Sequence, residues 1–139
     1  MTVQAMVRKC ETIRRDASIK DLMKVISKGS SDFVAVVDAQ GKACGVVTEK
    51  DILKLLKVQP IAGIQTIIID EIQKRDLEER ISAIMTKEPA LLRPDSPVKE
   101  ALEIFLSQDI KRILVADENS TPLGFVSLLD VIKKLAGDL

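Results

Sequence analysis

Gly45-Val46-Val47-Thr48-Glu49-Lys50-Asp51 returns 79 positions later as Gly124-Phe125-Val126-Ser127-Leu128-Leu129-Asp130. The match extends outward from this stretch without a gap, so that residues 6–56 lie over residues 85–135. Eleven of the 51 aligned pairs are identical, among them Met6/Met85, Arg14/Arg93, Asp38/Asp117 and Lys54/Lys133. Apolar positions stay apolar, as in Met23/Leu102, Val25/Ile104 and Leu53/Ile132. Such a repeat decides the fold before any single motif does. A unit of roughly 50 residues is marginal for burial by itself, so the two halves should share one core. Two equivalent units can also build two equivalent sites between them.

Each unit starts with a short extended segment, Glu11–Ile13 or Ala90–Leu92. A helix follows, marked by Ile19, Leu22, Met23 and Ile26 in one half and Val98, Ala101, Leu102 and Phe105 in the other. Both sets have the i, i+3, i+4, i+7 spacing of a helix with one buried face. Asp16 and Ser18, and Asp95, Ser96 and Pro97, supply capping chemistry ahead of these helices. Phe33–Val37 and Ile113–Ala116 are nearly continuous apolar runs, as expected of strands buried on both faces. Turns rich in Asp, Asn, Gly and Pro lead back into Gly45–Thr48 and Gly124–Ser127, completing hairpins. A second helix closes each unit, through Ile52, Leu53, Leu55 and Leu56 or Val131, Ile132 and Leu135. The unit is therefore β-α-β-β-α.

The division read from this pattern is a first repeat over 2–57, a connector over 58–79 and a second repeat over 80–136. Within the connector, Pro60 can open a helix carrying Ile61, Ile64, Ile68 and Ile72, and Thr66–Ile69 reads equally well as a strand. The charged run Gln73–Arg80 reads as an exposed helix. The connector's apolar stripe either covers the shared core or forms a subunit interface.

Composition narrows the function. Of 139 residues, 46% are hydrophobic and 30% charged, which describes a globular chain, not a disordered one. Lys plus Arg equals Asp plus Glu, so the formal net charge is zero and no electrostatic footprint for nucleic acid is present. No apolar stretch is long enough to span a membrane. The opening MTVQAMVRK lacks the apolar core of a signal peptide, and a cytoplasmic protein is expected. The chain has no His, hence no imidazole base and no His metal ligand. Its two thiols, Cys10 and Cys44, align with Pro89 and Leu123 and are no part of the repeated pattern; both are expected to be reduced.

The chemistry resides in Gly-x-x-[Thr/Ser]-x-x-Asp. The motif runs from a strand end into a helix, where free backbone N–H groups favour an anion such as phosphate. Thr48 or Ser127 can add a hydroxyl to that phosphate. Asp51 or Asp130 can accept hydrogen bonds from both hydroxyls of a ribose. The glycine admits a ligand close to the backbone. A capping box accounts for the same Thr48/Asp51 and Ser127/Asp130 pairs without any ligand, and both explanations fit the motif.

Together with Met85-Thr86-Lys87, Pro94-Asp95-Ser96-Pro97-Val98, Ala101-Leu102 and Lys111-Arg112-Ile113-Leu114-Val115-x-Asp117, these motifs resemble a tandem pair of CBS domains, named after cystathionine β-synthase and often called a Bateman module. The likeness covers about 2–57 and 80–136 and is better in the second repeat. In the first, Val7 replaces the opening Thr, and Ser31-Asp32-Phe33 replaces the basic pair before the strand. The resemblance implies an α/β (α+β) fold in which two β-α-β-β-α repeats pack by pseudo-twofold symmetry into one compact module. It implies two clefts for adenosyl ligands, most often AMP, ADP or ATP and sometimes S-adenosylmethionine or NAD. Carried onto this chain, Asp51 and Asp130 would hold ribose hydroxyls. Thr48 and Ser127 would contact phosphate or ribose, and the backbones of Val46 and Phe125 would border adenine. Lys111 and Arg112 would meet phosphate. With Asp32 and Phe33 at the equivalent position, the two clefts should differ in phosphate affinity.

The expected protein is thus a non-catalytic sensor, a homodimer that needs no cofactor, binds an adenine nucleotide as regulatory ligand and signals to an effector protein. An enzyme is disfavoured because no nucleophile is paired with a base and neither thiol has an activating partner. An interaction module with empty clefts is the alternative. The neutral charge argues against nucleic-acid binding.

Overall fold

A computed structural model of the protein describes residues 1–29, 33–54 and 77–137 in full, and 58–61 and 64–67 by their backbone. The first unit consists of β1 (Glu11–Arg14), α1 (Ile19–Lys28), β2 (Phe33–Val37), β3 (Ala43–Thr48) and α2 (Glu49–Leu53). The second consists of β7 (Leu91–Leu92), α3 (Val98–Ser107), β8 (Arg112–Ala116), β9 (Pro122–Ser127) and α4 (Leu128–Gly137). Between them run β4 (Val58–Ile61), β5 (Ile64–Ile67) and the short β6 (Thr86–Lys87). Both units therefore have the β-α-β-β-α order expected of the repeat. The connector adopts a strand from Ile64 to Ile67, not a helix from Pro60: β4 and β5 pair antiparallel. Leu55, Leu56, Ser31, Asp32, Ile68, Ile69, Ile72 and residues 73–76 of the charged run lie outside the described residues.

In each unit the first strand runs parallel to the second, which pairs antiparallel with the third. The ladders break at equivalent points, between Val36 and Val37 and between Val115 and Ala116. α1 starts at a full capping box: the Asp21 N–H donates to Ser18 Oγ at 3.1 Å and the Ser18 N–H donates to Asp21 Oδ2 at 3.3 Å. In α3 the N-cap is Pro97, and Ser96 instead turns its hydroxyl toward the Arg93 N–H, 2.8 Å away.

The units exchange their leading segments. β6, which opens the second repeat, pairs antiparallel with β3 of the first, with Gly45 opposite Lys87 and Val46 opposite Thr86. Reciprocally, Arg8, which opens the first repeat, bridges to Phe125 in β9; each residue's N–H donates to the other's carbonyl, at 2.9 and 2.8 Å. The turns ahead of these segments cross as well. The Val3 N–H donates to the Ser96 carbonyl and the Ile81 N–H to the Ala17 carbonyl, both at 2.9 Å. Val3 is buried in the second unit's core and Ile81 in the first's. Neither unit closes its core without a residue from the other, which is the physical content of the marginal burial expected of each half.

Strand alternation sorts the core into three layers. Val34, Val36 and Val47 point toward α1. Ile113, Val115 and Val126 point toward α3 and α4. Phe33, Ala35, Val46, Leu114 and Phe125 point the other way and form a third cluster where the two sheets meet. There the rings of Phe33 and Phe125 lie 5.2 Å apart, tilted by 38°. The central strands are apolar at every position but the first of β8, Arg112, because both of their faces are covered.

Candidate functional site

The exchange of leading segments brings residues of both repeats around a cavity of about 520 Å³, within the usual range for small-molecule sites. The first repeat contributes Val46, Thr48 and Asp51. The second contributes Thr86 and Lys87 from β6, and Lys111 and Arg112 from the entry to β8. Five of the eight site residues expected from sequence thus meet in one place. Lys111 and Arg112 join the motif of the other repeat, not the Ser127/Asp130 motif of their own. Phe125, Ser127 and Asp130 are not among the lining residues of this cavity.

Asp51 is 3% exposed and carries a carboxylate with several partners. Its Oδ2 accepts the Thr48 N–H at 3.0 Å, one arm of a capping box. Its Oδ1 accepts Lys54 Nζ at 3.1 Å. The Thr86 hydroxyl lies 3.3 and 3.4 Å from the two oxygens. Burying a carboxylate is tolerable only with such compensation. Capping is therefore real at the first motif. It does not use up the group, because a carboxylate offers about four lone-pair positions, and Asp51 still lines the cavity.

At the second motif the roles divide differently. Ser127 Oγ accepts the Asp130 N–H at 3.1 Å, the other arm of the box. The Asp130 carboxylate is taken by Arg8, whose Nε and Nη2 donate to Oδ2 and Oδ1 at 2.6 and 2.9 Å. The hydrogen-bonding guanidinium holds the Asp130 carboxyl below its usual value, with Ser127 adding to the effect. The main-chain N–H and carbonyl of Phe125 are engaged by Arg8 as well.

Gly45 and Gly124 serve a purpose other than ligand access. A Cβ on Gly45 would stand 2.6 Å from Met85 Sδ and 2.9 Å from the Thr86 carbonyl oxygen, and one on Gly124 would overlap the carbonyl of Arg8. What approaches these glycines is the exchanged leading segment of the other repeat. Sequence reading missed Thr86, Lys87 and Arg8 as site residues. The offset of 79 that equates Arg8 with Lys87 was the available signal, but it does not say that each of them crosses to the opposite repeat.

Three lysines on the cavity wall, Lys50, Lys87 and Lys111, have no ion-pair partner among the described residues. Arg112 Nη2 stands 3.5 Å from Glu49 Oε1 across the cleft. Cys10 and Cys44 are free, and burial pushes both thiols up, away from thiolate. Among the described residues no cluster of His, Cys, Asp and Glu is placed to hold a metal, and no helix is long and apolar enough to cross a membrane.

The CBS domain family matches the chain twice, over residues 3–58 and 81–137. This chain belongs to the CBS-domain family. Its relatives include the protein MJ1426 of Methanocaldococcus jannaschii, 23% identical, the alignment covering 97% of this chain and 91% of that one. The chain spans less than a quarter of several longer relatives. Two solved CBS structures show the same fold. One is the CBS domain pair of protein MJ0100 in complex with 5′-methylthioadenosine and S-adenosylmethionine, at a TM-score of 0.75 and 21% identity, with 100% of this chain and 98% of that one covered. The other is CBSX2 in complex with AMP, at a TM-score of 0.74 and 18% identity, with 99% and 97% covered.

Proposed function

We propose that this CBS pair is a non-catalytic regulatory module that binds an adenine nucleotide in the Asp51 cleft and transmits its occupancy to a partner protein. The observation that carries this reading is the convergence of Thr48 and Asp51 from one repeat with Lys111 and Arg112 from the other on one cavity. Asp51 accepts the ribose hydroxyls, Thr48 contacts ribose or phosphate, and the backbone of Val46 borders adenine. Lys111 and Arg112 meet the phosphates. Lys50 and Lys87 add positive charge to the same wall. Three ammonium groups without ion-pair partners favour a di- or triphosphate over AMP, and favour either over the cationic S-adenosylmethionine. Structural relatives crystallised with AMP, with S-adenosylmethionine and with ATP support an adenosyl ligand.

Signalling follows from the exchange of strands. A ligand in the Asp51 cleft touches both repeats, so it biases their packing by its differential affinity for the two arrangements. The homodimer expected of the family, the cytoplasmic location and the absence of catalysis belong to this proposal. So do the repeat boundaries 2–57 and 80–136.

A thermal-shift series with AMP, ADP, ATP, S-adenosylmethionine and NAD tests it. A ligand at 100 times its dissociation constant stabilises the fold by about 2.7 kcal/mol, a midpoint rise on the order of 10 °C for a chain of this size. The rise should be largest for ADP or ATP and should vanish in Asp51→Ala. The second reading, an interaction module with empty clefts, draws on the exposed row Leu129, Ile132 and Leu135 of α4. No shift with any of the five at millimolar concentration would establish that reading instead.

A further inference from the structure

We infer that Arg8 decides which of the two motifs accepts a ribose: it latches Asp130 with a two-pronged guanidinium, leaving Asp51, which lines the cavity and has no such latch, as the carboxylate that takes the diol. This inference rests on the adenosyl-binding reading above and adds its stoichiometry and its site selection.

A cis-diol meets a carboxylate edge-on, each hydroxyl donating to one oxygen. At Asp130 that edge is already filled in the same two-pronged manner, by Nε of Arg8 at 2.6 Å and Nη2 at 2.9 Å. Planar bidentate pairing of this kind is the strongest arrangement a guanidinium makes with a carboxylate. Arg8 is not a loose arm. Its main chain is hydrogen-bonded in both directions to Phe125, so the side chain starts from a docked segment three residues before the helix that carries Asp130. Its carbonyl also packs so closely on Gly124 that the segment has no room to slide inward.

The equivalent contact is missing at the first motif. Lys87 occupies the place of Arg8 in the repeat and lines the cavity without pairing with Asp51. An ammonium is a point charge and cannot fork across both oxygens. Asp51 keeps the capping bond from the Thr48 N–H on Oδ2, and its other partners are the side chains of Lys54, 66% exposed, and of Thr86 at longer range. Both can turn aside or share the oxygens with a ligand. The two motifs share Gly, a hydroxyl residue and Asp in the same register, and their leading segments differ at two positions that reach the carboxylates: Arg8 stands where the other repeat has Lys87, and Val7 where it has Thr86.

Titration of the ¹⁵N-labelled full chain with adenosine tests the latch, because adenosine carries the diol and the adenine without phosphate. The amides of Val46–Asp51 report the first motif and those of Phe125–Asp130 the second. In the wild type the first set should shift at concentrations that leave the second unmoved. Arg8→Gln keeps the main-chain bonds to Phe125 but cannot hold the carboxylate. It should bring the second set into play, its dissociation constant falling about tenfold, as loss of a charge-assisted pair implies. Asp130→Ala added to Arg8→Gln should silence it again. Arg8→Lys, milder still, should give an intermediate result. Equal response of both motifs in the wild type would overturn the latch, as would a second motif that stays silent in Arg8→Gln while the first responds. Silence of both motifs in every variant would overturn the latch together with the nucleotide reading.

Discussion

A Cβ on Gly124 would overlap the carbonyl oxygen of Arg8. The contact joins the motif of the second repeat to the leading segment of the first, and it is main chain against main chain. Gly124 also holds a positive φ of 155°. Gly124→Ala must therefore undock Arg8 or distort β9, and it should destabilise the fold by about 3 kcal/mol, the upper range for overpacking. At Gly45 the nearest obstacle is the flexible end of Met85, with the Thr86 carbonyl oxygen second at 2.9 Å. Gly45→Ala should cost less, about 1–2 kcal/mol. Urea unfolding of the two variants checks the order; equal midpoints would contradict the exchange of leading segments.

Phe33 and Phe125 face each other across the sheet interface, and no other aromatic pair ties the repeats together among the described residues. Truncating either to Ala should cost about 3–5 kcal/mol, as large-to-small changes of aromatics in cores do. The double variant should be less destabilised than the sum, by about 1 kcal/mol, because the ring–ring contact is lost only once. Exact additivity in a double-mutant cycle would mean that the rings pack on their surroundings and not on each other.

Much of this was legible from residue pattern. The period of 3.6 located α1 and α3, continuous apolar runs followed by turn residues located the two hairpins, and the offset of 79 equated the elements of the two units. Of the site residues expected from sequence, Val46, Thr48, Asp51, Lys111 and Arg112 line one cavity, and Phe125, Ser127 and Asp130 do not. What the pattern could not show was the crossing of Arg8 and Thr86 to the opposite repeat. Val7-Arg8 and Thr86-Lys87 are too short to show a strand period, and pairing partners far apart in sequence leave no local trace. The glycines misled for the same reason: a site of close approach is visible in sequence, but what approaches is not. In the connector, Ile61 and Ile64 satisfy a helical spacing by chance, and the hairpin at Val58–Ile67 shows the ambiguity of short apolar runs.

The Arg8–Asp130 pair has a pH signature. The guanidinium holds the Asp130 carboxyl below its ordinary value. A lowered carboxylate adds stability above its unfolded pKa, about 3.9, and that stability is lost as pH falls through the folded value. Lys133, the other nearby cation, acts in the same direction and more weakly. Arg8→Gln removes the larger cause. Wild type should exceed Arg8→Gln in urea midpoint at pH 7, and the gap should close as the pH is brought down into the range where Asp130 protonates. A gap that persists unchanged at acid pH would assign the effect of Arg8 to packing instead of charge.

Leu129, Ile132 and Leu135 recur at three-residue spacing on one side of α4 and remain 58%, 51% and 42% exposed. A row of this kind is a surface for association in the homodimer we propose. Ile132→Glu should convert a dimer to a monomer in sedimentation velocity while leaving the unfolding transition cooperative. A dimer that survives the charge would have to be built on another face.

Lys87 and Lys111 separate the phosphate part of the proposed ligand from the nucleoside part. Both line the Asp51 cavity, and neither has an ion-pair partner among the described residues. Near a protein surface a unit charge at 4 Å from another contributes about 4 kcal/mol before solvent competition, so each ammonium should matter more as phosphates are added. Lys111→Ala should weaken ADP about tenfold and AMP less, with adenosine unchanged. Lys87→Ala should behave in the same way. Raising the salt concentration should reduce the ADP advantage in the wild type and have little effect in the double variant, since screening acts only on the charges that remain. Calorimetric titrations with the three ligands read the ladder directly. If Lys111→Ala weakened adenosine as much as ADP, the lysine would be shaping the cleft rather than meeting phosphate.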